Sequence, residues 1–305
     1  MISGILNIHK EIGLTSHDVV ARVRRILHEK RVGHAGTLDP AAEGVLPVCI
    51  GFGTRVVEYL SNARKVYCAE IILGITSDTF DREGLVTSID EVPQFNCSEI
   101  EVVLDKFRGK FDQIPPIFSA IKVAGKPVYK AAREGRGDEI ELKPRPIEIF
   151  ELKLLSCQIP RLILWVECSK GTYIRSLAQD IGQELGCGAY LHHLVRVQSG
   201  PFHLDTAITL GELEESVRQG RLDDDLIHFD SVLGAWPAFI VNSSAEEKIK
   251  QGRNLPVEAD MDSDDWLVNL SAGDNANRRV YTLDGEFLAL MEQAGKEWHP
   301  AKVFI

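Results

Sequence analysis

Hydrophobic and polar positions along residues 1–210 predict strands and helices mixed within one domain. Short apolar runs rich in Val, Ile and Leu have the length and composition of strands, and they lie at 4–8, 45–50, 65–73 and 162–168. Apolar side chains at helical spacing predict three helices, which follow Thr15–Ser16, the capping box Ser98–Glu101, and Gly171–Thr172. Because these elements do not alternate with regular βαβ spacing, we predict an α+β fold rather than a doubly wound one.

Two segments depart from this pattern. Residues 112–146 contain five prolines with basic residues between them, which predicts an irregular insertion rather than core. Beyond Trp236 we predict one short helix, capped by Ser243 or Ser244, and then short apolar runs broken by Gly, Asn and Asp. These features divide the chain into a larger domain at 1–234 and a small β-rich domain at 235–305.

Length and composition fit a globular protein with two such domains. A chain of 305 residues with 44% hydrophobic content can bury a core in each. The first ten residues lack the basic and apolar regions of a signal peptide, and no run approaches the roughly 18 apolar residues of a membrane helix. We therefore expect a cytoplasmic protein. The six cysteines include no CxxC pair, which predicts free thiols rather than disulfides or a zinc site.

The net charge of −11 would by itself argue against a nucleic-acid partner. The acidic residues, however, are concentrated late in the chain: 19 of the 45 acidic residues but only 9 of the 34 basic residues lie from Gly211 onward. The first 210 residues are therefore nearly neutral, and they retain enough Lys and Arg to form a local basic groove.

The segment from Gly33 to Pro40 is the strongest candidate for a catalytic loop. Its glycines permit close approach of another backbone or a ligand, and Pro40 biases Asp39 away from helix and stiffens the loop. A carboxylate held on a rigid loop between two elements can act as a nucleophile or a base. The alternative is that Asp39 only caps a turn, as most Asp-Pro pairs do.

The string GHAGTLDP at 33–40, followed by A-x-G-x-L-P at 42–47, closely resembles the active-site signature of the TruB family, the tRNA pseudouridine-55 synthases. Further blocks resembling the family pattern follow in the family's order, and all lie between residues 4 and 200. They are K-x-Y…L-G at 65–74, D-T-x-D-x-x-G at 78–84, P-P-x-x-S-A-x-K…G-K at 115–126, C-S-x-G-T-Y-I-R at 168–175 and a block at 188–196. Departures are Ser77, Phe80, and His9-Lys10-Glu11 in place of D-K-P, which predicts a looser turn there.

The resemblance implies a pseudouridine-synthase catalytic domain with a mixed, largely antiparallel sheet, an RNA-gripping insertion at about 112–146 and a small C-terminal β-barrel of the PUA type. The implied reaction converts uridine at position 55, in the T-loop of tRNA, to pseudouridine. This isomerisation breaks a C–N glycosidic bond and re-forms it as C–C without redox change or hydrolysis, so we expect no cofactor and no metal. The target base must be flipped out of the RNA and stacked on an aromatic ring.

The resemblance also implies roles for individual residues. Asp39 resembles the catalytic aspartate, Tyr67 the tyrosine that packs on the uracil and can act as a base, and Arg175 the arginine that pairs with the aspartate. A nearby cation favours the ionised carboxylate, so we expect Arg175 to keep Asp39 charged and to orient it. The implied substrate-binding residues are His34, Tyr67, Tyr173, Leu194, Lys10, Lys65 and Lys122.

Other interpretations remain open. His192 and His193 are more typical of surface or packing positions than of metal ligands, because no Cys or carboxylate accompanies them at zinc spacing. The chain could be a tRNA-folding chaperone with incidental catalysis, or a synthase that needs guide RNA and protein partners. We favour a monomeric enzyme that acts on tRNA without a protein partner and without a membrane, since the insertion at 112–146 could grip the tRNA itself.

Overall fold

Two β-sheets organise the chain. The computed structural model describes residues 2–88, 91–118, 142–257 and 277–305, together with the backbone of short strands at 122–123, 126–127 and 266–269. Its strands are β1 (Gly4–Lys10), β2 (Val32–His34), β3 (Ala42–Ile50), β4 (Lys65–Leu73), β5 (Ile75–Ser77), β6 (Val86–Ser88), β7 (Gly109–Gln113), β8 (Lys122–Val123), β9 (Lys126–Pro127), β10 (Arg145–Gln158), β11 (Arg161–Cys168), β12 (Ala189–Ser199), β13 (Phe202–His203), β14 (Ala238–Val241), β15 (Leu255–Pro256), β16 (Trp266–Asn269), β17 (Asn277–Tyr281), β18 (Phe287–Ala294) and β19 (Glu297–Val303). The α-helices are α1 (Ser16–Leu27), α2 (Val57–Asn62), α3 (Cys97–Asp105), α4 (Ile174–Glu184), α5 (Leu210–Arg218), α6 (Leu222–Asp225) and α7 (Ser243–Lys250).

The larger sheet has nine strands in the order β1-β3-β12-β4-β11-β10-β7, with β2 paired to β3 and β13 to β12. Neighbouring strands are antiparallel except for β12 and β3, which are parallel and place Leu194 opposite Ala42. The predicted α+β fold with a mixed, largely antiparallel sheet is therefore confirmed. The parallel pair brings the start of β3, directly after the Gly33–Pro40 loop, beside the strand that carries Leu194.

Helices cover this sheet through apolar stripes. Helix α1 buries Val19, Val20 and Val23 against β1 and β3, while α4 packs Leu177 and Ile181 against β4 and β12. Of the two N-cap candidates in the sequence, Thr15 and Ser16, Thr15 caps α1 and forms a capping box with Asp18.

Two predicted caps were wrong by one or two residues. Helix α3 is capped by Asn96 and Glu99 rather than by Ser98 and Glu101, because the side chain of Asn96 accepts a hydrogen bond of 3.0 Å from the Glu99 amide. Helix α7 is likewise capped by Asn242, not Ser243 or Ser244. In both cases an Asn just before the expected position reaches the free amides of the first turn, which is what an N-cap requires.

The second sheet has six strands in the order β15-β19-β18-β17-β14-β16 and curls into a half-barrel, which confirms the β-rich C-terminal region. It does not stand apart from the first sheet. Phe287, Leu290 and Phe304 share one apolar cluster with Ile5 and Val45. The contact between the two sheets is therefore a hydrophobic one.

The predicted insertion at 112–146 lies mostly outside the described residues. Strand β7 ends at Gln113 and β10 begins at Arg145, so this segment joins two neighbouring strands at one edge of the large sheet. Among the helices that the structure describes, none is long and apolar enough to cross a membrane.

Candidate active site

A cleft of about 240 Å³ opens where β4 and β12 meet the loops before β3 and α4. Its volume is below the roughly 300–1,000 Å³ that is typical of sites for drug-sized ligands, and it suits one nucleoside-sized group. Six of the residues that line it are Asp39, Lys65, Tyr67, Tyr173, Arg175 and Leu194. All six were predicted as site residues, and the structure brings them to one cleft although they come from four separate segments.

The loop that carries Asp39 is fixed by its neighbours. The Ser16 hydroxyl accepts a 2.9 Å hydrogen bond from the Leu38 amide and donates to the Leu38 carbonyl at 3.0 Å. The Gly13 amide donates to the Pro40 carbonyl at 2.8 Å. The start of α1 and the turn before it therefore hold Asp39 in place on both sides, as a preorganised functional group requires.

Arg175 lies between two carboxylates. Its Nε is 2.9 Å from Asp39 Oδ2 and its Nη1 is 3.4 Å from Asp81 Oδ2. The guanidinium also donates to the carbonyl oxygens of Thr79, at 3.2 Å, and Phe118, at 3.0 Å. A cation in the first turn of α4 is unfavourable for the helix dipole, and the two carboxylates offset this cost. The sequence interpretation did not assign a role to Asp81, although the D-T-x-D-x-x-G block contains it.

The protein environment shifts the ionisation of Asp39 in opposing directions. The side chain faces the cleft and is 39% exposed, but elsewhere it is enclosed by protein. This loss of water raises the pKa of Asp39 above the ordinary value of 3.8; Arg175 and Lys10 lower it, and Asp81 raises it further. The net direction is upward. Arg175 therefore supports the ionised form as predicted, but it does not outweigh burial.

Tyr67 lies on the floor of the cleft and is hydrogen-bonded to Arg196. Burial raises the pKa of Tyr67, and Arg196 opposes that shift. Arg196 itself is 1% exposed and donates to the carbonyl oxygens of Val45, at 2.7 Å, and Gly36, at 3.0 Å. One buried guanidinium therefore connects the Asp39 loop to the Tyr67 hydroxyl. Arg196 was visible in the sequence only as part of the block at 188–196.

Gly44, in β3, shows how closely the backbone of Arg196 approaches this strand. Gly44 has a φ of +108°, and a Cβ placed there would lie 2.3 Å from the Arg196 carbonyl oxygen. No larger residue fits at this position without moving the backbone.

The predicted lysines have different surroundings. Lys10 is fully buried beneath the loop, not in the cleft, and its Nζ donates to the carbonyls of Leu14 at 2.7 Å and Glu11 at 3.0 Å. Lys65 does line the cleft, and its Nζ donates to the carbonyls of Ser61 and Ala63, both at 2.6 Å. Burial lowers the pKa of each lysine to about 8. The side chain of Lys122 lies outside the described residues.

His34 does not line the cleft. It lies before the Asp39 loop, with its ring edge-to-face against His17 at a centroid distance of 5.6 Å. Burial lowers the pKa of His34 to about 4, with further lowering by His17 and Arg196, so the ring is neutral near pH 7. A neutral imidazole at this position can stack or hydrogen-bond but cannot contribute charge.

The other histidines singled out in the sequence are engaged elsewhere. His192 bonds the Tyr190 hydroxyl at 3.0 Å and His193 bonds Glu43 at 2.9 Å. Within the described part of the chain, no group of three or more His, Cys, Asp or Glu side chains is placed to hold a metal ion.

Comparison with known proteins indicates the family to which this sequence is similar. Residues 24–174 match the family described as "TruB family pseudouridylate synthase (N terminal domain)". Residues 175–233 match the family described as "tRNA pseudouridylate synthase B C-terminal domain". A protein of Dehalococcoides mccartyi named tRNA pseudouridine synthase B is 41% identical over all of this chain and 97% of its own length. A protein of the same name from Clostridioides difficile is 44% identical over 89% of this chain and 91% of its own.

Solved structures agree with the sequence matches. A chain of an H/ACA RNP bound to a substrate RNA containing 2′-deoxyuridine superposes with a TM-score of 0.73 and 26% identity, covering 99% of this chain and 85% of that one. A chain of a Cbf5-Nop10-Gar1 complex gives 0.72 and 28% over the same shares. The fold, the cleft and these matches define an RNA pseudouridine synthase. Within that class, the chain belongs to the TruB family.

Proposed function

We propose that this enzyme converts the uridine at position 55 of the tRNA T-loop to pseudouridine, with Asp39 as the catalytic aspartate. The observation that carries the proposal is the placement of Asp39, which is fixed by its loop and paired with Arg175 in a cleft of nucleoside size floored by Tyr67. The substrate is suggested by the relatives named tRNA pseudouridine synthase B.

In the proposed reaction the target uridine leaves the RNA stack and enters the cleft, where Tyr67 packs on the uracil and Leu194 forms an apolar wall. The C1′–N1 bond breaks, the uracil turns, and a C1′–C5 bond forms. C5 gives up a proton and N1 gains one, so the reaction is balanced without a cofactor. Asp39 assists at the sugar or the base. Proton removal by Tyr67 depends on Arg196, the group that lowers the pKa of Tyr67 against the effect of burial.

We further propose a catalytic domain at 1–234 and a small RNA-binding domain at 235–305. The strands of the second sheet, which begin with β14 at Ala238, support this division. Tyr173, Lys65 and Lys122 are proposed RNA contacts in or near the cleft. For His34 the proposed contact is with the T-loop next to the flipped base, outside the cleft. Lys10 is better assigned to supporting the Asp39 loop from below, because its ammonium group is bound to backbone carbonyls.

A synthase that needs partners is the second candidate, because the similar solved chains come from an H/ACA RNP and a Cbf5-Nop10-Gar1 complex. The two candidates separate in one experiment: purified protein alone is incubated with an unmodified tRNA transcript, and pseudouridines are mapped. We expect one new pseudouridine, at position 55, and none with Asp39→Asn. Tight tRNA binding by wild type without modification would instead support a chaperone or a partner-dependent enzyme.

A further inference from the structure

Arg64 and Phe150 form a stacked pair on the large sheet, outside the cleft. The guanidinium carbon of Arg64 lies 3.7 Å from the centroid of the Phe150 ring, a distance that corresponds to close contact. Phe150 is one of the large apolar side chains that the protein leaves exposed, at 36%. The pair comes from two distant segments: Arg64 precedes β4, and Phe150 lies in β10.

The guanidinium of Arg64 has an ion-pair partner, and its backbone is tied to a neighbouring segment. Nη1 of Arg64 donates to Oε1 of Glu167 at 2.9 Å, and the carbonyl oxygen of Arg64 accepts a 2.9 Å hydrogen bond from the Gly200 amide. One side of the plane covers Phe150. The side chain of Arg64 is nevertheless 61% exposed, so much of the guanidinium remains accessible to a partner.

The pair lies directly behind the rim of the cleft. Lys65, the residue after Arg64, lines the cleft, and so do Ser169 and Lys170. Nζ of Lys170 donates to Oδ1 of Asn62 at 2.7 Å, which joins the rim to the end of α2. The hydroxyl of Ser169 accepts a 2.9 Å hydrogen bond from the amide of Glu148, two residues before Phe150. The segments that carry Arg64 and Phe150 therefore adjoin this rim, one through the Arg64–Lys65 peptide and the other through the hydrogen bond between Glu148 and Ser169.

We propose that Arg64 and Phe150 form a second base-binding platform, which stacks an unpaired nucleobase of the RNA substrate outside the catalytic cleft. This inference rests on the proposed function, since it presupposes an RNA in the cleft. Proteins that bind unpaired RNA stack its bases on arginine planes and aromatic rings. The charge of Arg64 is already paired with Glu167, so the platform contributes mainly through its flat surface rather than through attraction to phosphate.

Kinetic constants of Arg64→Ala on an unmodified tRNA transcript test the platform. Loss of one stacked base should raise KM about tenfold or more, because the stacking of a single base usually strengthens binding by about that factor. The value of kcat should be nearly unchanged. Arg64→Lys keeps the charge but not the plane, and it should not restore KM. Phe150→Ala removes the support beneath Arg64 and should raise KM in the same direction.

Arg161 provides a matched control on the same sheet. It is also exposed, at 55%, and its Nε lies 3.1 Å from Oε1 of Glu70, but it starts β11 at the end away from the cleft. Arg161→Ala should leave KM and kcat as in wild type. If Arg64→Ala behaves like Arg161→Ala, or if Arg64→Lys restores KM, the proposal of a base-binding platform is refuted. The proposed function is unaffected by either result. Absence of pseudouridine formation by wild-type protein would overturn both.

Discussion

Nη1 of Arg175 lies 3.4 Å from Oδ2 of Asp81, and each of these side chains is only 6% exposed. Asp81 does not face the cleft itself, whereas Asp39, the other partner of Arg175, does. The guanidinium is thus anchored from behind by one carboxylate while it orients the second. Removal of one member of a buried ion pair leaves an uncompensated charge, so this arrangement makes Arg175 sensitive to Asp81.

Asp81→Asn should therefore lower kcat about 10- to 100-fold with little change in KM, because a misplaced Arg175 no longer holds Asp39 in its reactive geometry. The amide retains an oxygen that can accept the bonds which Oδ1 now accepts from the Thr79 hydroxyl and the Glu83 amide. Steady-state kinetics on tRNA transcripts measures the effect. Asp78→Asn in the same segment is the control, since Asp78 is exposed and bonds only the nearby Leu85 amide among the described residues. Equal activity of the two variants would contradict the anchoring role.

The pH dependence of activity should reflect the raised pKa of Asp39. If the ionised carboxylate is the active form, kcat/KM falls as pH drops through that pKa, which lies above 3.8. The negative charge of Asp81 contributes to the upward shift, so Asp81→Asn should move this acidic limb to lower pH. Profiles of kcat/KM for wild type and the variant show the shift. A limb that moves upward would show that displacement of Arg175 outweighs the loss of the Asp81 charge, and a limb that does not move would assign it to another group.

Asp39→Asn should abolish isomerisation without lowering the unfolding temperature at pH 7. Folding raises the pKa of Asp39. As pH rises above 3.8, the folded chain therefore keeps this proton where the unfolded chain has already lost it. The ionised carboxylate thus disfavours folding at neutral pH, and this disadvantage disappears as pH falls towards 3.8.

Thermal unfolding of wild type and Asp39→Asn at several pH values tests this sign. Asp18→Asn should behave in the opposite way, since hydrogen bonds from Thr15 lower the pKa of Asp18. A lowered pKa stabilises the fold above the unfolded value and loses that contribution in acid, so Asp18→Asn costs stability mainly at neutral pH. Asp39→Asn melting well below wild type at pH 7 would show that its pairing with Arg175 outweighs burial.

Tyr67→Phe should keep the ring that packs on the uracil but lose the hydroxyl bonded to Arg196. We expect kcat to fall roughly 100-fold or more, the usual range for loss of a proton-transfer group, while tRNA binding is preserved. Tyr190→Phe is the control: Tyr190 is equally buried, at 8%, but its hydroxyl bonds His192 rather than a residue of the cleft. Single-turnover assays and filter binding separate the two effects. Loss of binding in Tyr67→Phe would indicate a structural role for the hydroxyl.

Gly44→Ala should lower the free energy of unfolding by about 3 kcal/mol or more, since it combines an unfavourable φ with a backbone clash. Gly33→Ala is the matched control within the same signature, because a Cβ there meets nothing within 4 Å among the described residues. Urea denaturation compares the two. Similar midpoints would mean that the contact of Gly44 with Arg196 relaxes easily.

The sequence was most informative where the determinants are local. Strand 65–73 was predicted with both of its observed bounds, and the cap of α1 is one of the two candidates, Thr15, because strand composition and capping depend on neighbouring residues. The cap of α3 was wrong because Asn96 with Glu99 fits the capping pattern as well as Ser98 with Glu101 does. The local sequence pattern alone does not select between the two.

The candidate site shows the same limit. Asp39, Tyr67 and Arg175 were named through motifs and line one cleft, whereas the contacts of Asp81 and Arg196 were not predicted. Arg196 reaches Gly36 and Val45 because β12 pairs in parallel with β3, a long-range register that periodicity along the chain does not encode. The sequence shows that Arg196 is charged, but it does not show which backbone carbonyl oxygens will accept hydrogen bonds from it.

The apolar cluster between the two sheets has a consequence for the order of folding during synthesis. Ile5 and Phe304 belong to that cluster, and Phe304 stacks on Phe229 at 5.1 Å and contacts Phe287 at 4.8 Å. While the ribosome is still translating the second sheet, the side of the first sheet around Ile5 and Val45 is without its cover. The nascent chain therefore presents an apolar surface until residue 304 has emerged, and this surface is where we expect holding chaperones to bind.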